Sequence, residues 1–138
     1  KKNGYIFIGL YNKIGRFRTK FRKYIYKIFG KKILIKFDPV LRSIPSNSQD
    51  KINSWIKDQY THPVESTHTF DEILRWFKLC NIAFISSIPE CSPFTNAKKS
   101  FFEKKSKATF VERIIQQFIM IFTSFGAEGG VFIFIGKK

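Results

Sequence analysis

The sequence predicts an α/β domain, and three observations carry that expectation. Three short apolar runs, Tyr5–Tyr11, Ile82–Ile88 and Val131–Ile135, are rich in β-branched and aromatic residues and have the length of strands. Segments with apolar residues at three- and four-residue steps, the period of helices, lie between them. Two of those segments open on a capping box, Thr69-Phe70-Asp71-Glu72 and Thr109-Phe110-Val111-Glu112. In each, the Thr hydroxyl accepts from the third helical N–H while the Glu reaches back to the cap.

Residues 5–11 (YIFIGLY) form a continuous apolar run, which suits a strand buried on both faces. Residues 13–29 switch period. Ile14, Phe17, Phe21, Tyr24, Ile25 and Ile28 make one apolar face with Lys and Arg between them, an amphipathic helix that Gly30 caps. Residues 31–47 read as irregular, because Asp38-Pro39 and Ile44-Pro45 restrict the residue before each proline. A short helix over 49–60 places Ile52, Trp55 and Ile56 on one face, and Pro63 makes 61–68 a loop. The first capping box starts a helix over 69–79 with Phe70, Ile73, Leu74 and Phe77 inward. Strand 82–88 closes at Pro89, and 89–108 reads as a mobile, Lys-rich loop. The second box opens a largely apolar helix to about Ser124. Gly126, Gly129 and Gly130 then turn the chain into strand 131–136. There is no internal repeat.

With 138 residues and 43% apolar content, the chain has the size and composition of one folded domain. Two cysteines, Cys80 and Cys91, exclude a disulfide scaffold and complete no zinc spacing. No apolar stretch reaches the roughly 20 residues of a membrane span. The opening Lys1-Lys2 with its short apolar run lacks a signal-peptide cleavage site. These features point to the cytoplasm. The net charge of +15 is uneven: residues 1–36 hold 12 basic residues and no acid. Such a segment can contact nucleic acid or anionic membrane, and an AT-rich genome would also produce it by favouring Lys, Ile and Phe. A non-enzymatic basic module using helix 13–29 is therefore one functional class to weigh. No nucleic-acid motif accompanies that helix, and a solvated face or a lid over a substrate is the preferred reading.

His62, Glu65 and His68, spaced three apart, hold both histidines of the chain in one loop. Three readings stay open. The group can be a substrate-side cluster, with His as general base, Glu65 orienting it and Tyr60 adding a hydroxyl. It can be structural, with Glu65 and Ser66 satisfying backbone groups beside the Thr69 cap. It can hold a metal, although Pro63 prevents a regular helical display and no fourth ligand is evident.

The opening Lys2-Asn3-Gly4-Tyr5-Ile6-Phe7-Ile8 resembles the turn and fifth strand of class I S-adenosylmethionine-dependent methyltransferases. More specific is the run Gln59-Tyr60-Thr61-His62-Pro63-Val64-Glu65-Ser66-Thr67-His68-Thr69 followed by Asp71–Phe77. It is similar to a signature in a bacterial branch of that superfamily, placed before the helix that leads to the sixth strand. Ile82–Pro89 and Gly129–Lys138 resemble the sixth and seventh strands. The resemblance spans nearly the whole chain. It implies the C-terminal portion of a Rossmann-like sheet: three strands, the last one antiparallel, with a helical cap-like insertion over 12–68 and a second insertion over 89–128. It also implies methyl transfer from S-adenosylmethionine to an unidentified acceptor. The family's glycine-rich cofactor loop and its acidic ribose ligand are not found in these residues. The resemblance therefore places the cofactor mainly on a missing N-terminal half. It makes His62, His68 and Glu65 the catalytic candidates, and Tyr11, Asn12, Arg16 and Tyr60 the substrate-binding ones. No metal ligand is assigned.

Overall fold

A computed structural model describes residues 4–61, 65–95, 100–123 and 129–138. Its elements in chain order are β1 (Tyr5–Asn12), α1 (Phe17–Phe37), α2 (Pro39–Ser43), α3 (Gln49–Ile56), β2 (Thr67–His68), α4 (Phe70–Leu79), β3 (Ala83–Ile88), α5 (Phe110–Ile119) and β4 (Val131–Lys137). A π-helical turn over Lys57–Thr61 follows α3. The chain divides into two units. One is a sheet unit made of residues up to Arg16 and from Ser66 onward; the other is a helical unit over Phe17–Glu65.

The sheet unit has four strands in the order β2-β1-β4-β3. The fourth, relative to the expected three, is β2, two residues that pair parallel to the end of β1. Its shortness explains why no periodic signal announced it. The last strand, β4, runs antiparallel to β1 from Tyr5↔Lys137 to Tyr11↔Val131. It is also antiparallel to β3, with a bulge between Phe84 and Ser86. β1 and β3 therefore point the same way.

The core of this unit is aromatic. Phe70, Ile73 and Phe77 of α4 pack on Phe132 and Phe134 of β4, with Phe84, Cys91 and Met120 completing the cluster. Both predicted capping boxes form: Thr69 Oγ1 accepts from Glu72 N–H and Thr109 Oγ1 from Glu112 N–H, each at 3.3 Å. Arg113 of α5 donates from Nε to Asp71 of α4 at 2.9 Å. Burial raises the Cys91 thiol to about 11, against a lowering contact from Ser87.

Three expectations change here. β1 is not buried on both faces: Ile8 and Leu10 pack on the core, but Tyr5, Ile6 and Phe7 are exposed. Helix α5 stops at Ile119, short of Ser124, which lies outside the described residues with Gly126. The segment 89–108 is tied down where it is described. Lys105 N–H donates to Ile85 O at 2.7 Å, Lys105 Nζ meets Glu90 at 2.6 Å and Ser92 Oγ donates to Glu112 at 2.8 Å. Residues 96–99 lie outside the description.

The helical unit is more ordered than the sequence suggested. Gly30 does end a helix, with φ of 71°, but helical structure resumes directly and runs to Phe37. Asp38-Pro39, read as irregular, is instead the start of α2. Asp38 is the N-cap, accepting from Val40 N–H at 2.8 Å, and Pro39 takes the first helical position, where its missing donor costs nothing. Leu34, Leu41, Ile52, Ile56 and Tyr60 form the core of this unit.

Candidate functional site

The carboxyl end of β1 is the most connected polar region of the sheet unit. β1 carries Tyr11 and Asn12 there, opposite Thr67 and His68 of β2. Asn12 is fully buried. Its Oδ1 accepts from Ile14 N–H at 3.0 Å and Gly15 N–H at 2.8 Å, which reverses the chain after the strand. Its Nδ2 donates to Gln117 Oε1 at 2.8 Å and to His68 O at 3.4 Å. Gln117 also accepts from Phe70 N–H at 3.2 Å and donates to Arg113 O at 3.1 Å. One amide thus joins the end of β1, the start of α4 and the middle of α5.

Arg16 is 2% exposed. Its guanidinium lies 3.9 Å from the centre of the Tyr11 ring, and Nη1 donates to Gly129 O at 3.3 Å. Gly130, with φ of 72°, lies against this turn so closely that a Cβ would come 2.7 Å from Arg16 N. Only glycine fits there, and the space beside it is filled by protein backbone.

His68 stands next to this cluster, partly exposed. Its Nδ1 lies 3.4 Å from Glu72 Oε2, one turn into α4, and its ring meets Trp76 edge-on at 5.0 Å. The Glu72 carboxylate also accepts from Thr69 N–H at 2.8 Å. That backbone donor first, and His68 second, hold the Glu72 carboxyl below its ordinary range. With Nδ1 turned to a carboxylate, Nε2 is the ring nitrogen left for proton transfer.

The other sequence candidates lie elsewhere. His62 is outside the described residues. Glu65 closes the helical unit and is half-buried. Tyr60 is buried in that unit, and its hydroxyl donates to Asp38. Burial, then Asp38, pushes its phenol well above the ordinary value, so it stays protonated. Asp38 also accepts from Trp55 Nε1–H at 2.9 Å. The structure therefore brings Tyr11, Asn12, Arg16 and His68 together, and engages Tyr60 in a separate buried network.

Sequence reasoning missed Glu72 as the partner of His68, and Gln117 altogether. The first was legible as a four-residue spacing at a helix start. The second had a weaker signal, a polar pair in an otherwise apolar helix face.

Among the described residues no group of three His, Cys, Asp or Glu is placed to hold a metal ion. Among the described residues no helix is long and apolar enough to cross a membrane. Compared with protein-family models, curated proteins and solved structures, the chain matches none.

Proposed function

We propose that this chain is the acceptor-side, C-terminal part of a bacterial, cytoplasmic class I S-adenosylmethionine-dependent methyltransferase. The observation that supports this reading is the sheet. β1 and β3 run parallel, and the last strand lies antiparallel between them, the direction the resemblance implies. The far side of β1 agrees with it. Among the described residues that side pairs only at Tyr11 and Asn12, and Tyr5, Ile6 and Phe7 are exposed. An open, apolar edge of this kind is what further strands would cover.

On this reading the acceptor meets the carboxyl end of β1, where ligands of open α/β sheets bind. S-adenosylmethionine, held outside this chain, would supply the methyl group. His68, oriented by Glu72, takes the proton that an oxygen or nitrogen acceptor must lose. Asn12 and Arg16, both buried, set the shape of the wall beside it.

The test is the coding sequence upstream of Lys1. An in-frame strand, glycine-rich loop and helix are expected there; an in-frame stop without them overturns the proposal. In the longer protein, His68→Ala should lower methyl transfer by about 100-fold, measured with methyl-labelled S-adenosylmethionine and a cell extract as acceptor source. Unchanged turnover would remove His68 from the mechanism.

A further inference from the structure

Most of the face of α1 that the sequence marks as its buried side is turned outward; of that face Ile25 is buried. Phe17, Phe21, Tyr24 and Ile28 recur at four-, three- and four-residue steps, so they form one stripe along the first part of the helix. They are 60%, 56%, 66% and 70% exposed. The stripe is about 16 Å long, from the rise of a helix. The opposite side holds the inward contacts: Thr19 is buried, and Tyr26 packs on the Leu34–Tyr60 cluster.

Charge says what suits this stripe. Residues 17–29 carry five basic side chains and no acidic one. By helical geometry Lys20 and Lys27 run along one flank and Arg18 along the other. Arg18 and Lys27 are exposed. We propose that α1 lies on an anionic lipid surface, with the Phe17–Ile28 stripe among the acyl chains and the flanking cations at the headgroups. An aromatic and aliphatic ridge with cations on both flanks is the arrangement such a surface recognises. A nucleic acid would use the cations but gains little from burying Ile28. A second copy would bring two purely basic helices together. The proposal does not depend on the methyltransferase reading, since it uses only α1.

The experiment is co-sedimentation of the 138-residue chain with vesicles. Vesicles of phosphatidylcholine with about one-third phosphatidylserine should pull down the chain, and pure phosphatidylcholine should hold it about tenfold less. The pair Phe21→Ser and Ile28→Ser should lose binding to the anionic vesicles, and so should the pair Arg18→Glu and Lys27→Glu. All four positions are exposed or carry no core contact, and circular dichroism checks that the variants fold. Anionic-vesicle binding that survives both pairs overturns the proposal. So does tighter retention by a single- or double-stranded oligonucleotide than by the vesicles. A vesicle-independent dimer that Phe21→Ser dissolves, seen by sedimentation equilibrium, assigns the stripe to a second copy and overturns it as well.

Discussion

The two units solve the same problem by different means. The sheet unit buries four phenylalanines around Phe134 and joins its buried amides, Asn12 and Gln117, to each other and to the Phe70 N–H. The helical unit has an aliphatic core and places a fully buried carboxylate at its centre, where Asp38 takes donors from Val40, Trp55 and Tyr60. A sheet supplies its own backbone partners, so its interior can be apolar. Short helices joined at angles leave N–H groups at each start, and one acid satisfies two of them while pinning two side chains. The difference teaches where each unit is vulnerable: the first to lost volume, the second to a lost acceptor.

The largest effect should come from Phe70→Ala. Phe70 is fully buried and meets the rings of Phe132 and Phe134 at 5.1 and 5.2 Å. Its truncation should cost about 3–5 kcal/mol, read from urea unfolding. Hydrogen exchange should rise most in α4, β3 and β4. Next is Asp38→Ala, which strands the Trp55 and Tyr60 donors and removes a cap. About 3 kcal/mol is expected, with exchange rising most over residues 17–61. Equal rises in both units for either variant would break the contrast. Thr69→Ala, which removes half of a capping box, should cost about 1 kcal/mol and raise exchange at the start of α4.

Acid provides the smallest effect. The Glu72 and Glu112 carboxyls are held below their ordinary value of 4.5, first by the Thr69 and Thr109 N–H donors. Because their folded values are depressed, their stabilisation is present above about pH 4.5 and is lost as pH falls through those lower values. The urea midpoint should therefore drop below about pH 4.5. Replacing both by Gln should flatten that drop. An unchanged acid slope in the double variant would show that the boxes do not carry it.

Parts of the fold and of the site were legible because their causes are local. Both capping boxes, the break at Gly30 and the strands at 82–88 and 131–136 follow from a few adjacent residues. Asp38-Pro39 was misread because a proline that disfavours helix before it also favours helix after it. In the site, Asn12 and His68 were singled out separately. That they share a register pair depends on β2, whose two residues carry no period.

Sequence by itself determined the two capped helices, the three longer strands and where the positive charge collects, since propensity, capping and charge act within a turn or two of chain. Tertiary structure decided whether an apolar face predicted to be inside meets a neighbour: that of α4 does, and most of that of α1 does not. Phe17, Phe21, Tyr24 and Ile28 have the spacing of a core face and stand in the open, while Asp38, Arg16 and Gln117 are polar and buried. Burial is a property of what else is packed nearby, and one helix cannot state which of its sides will meet a neighbour.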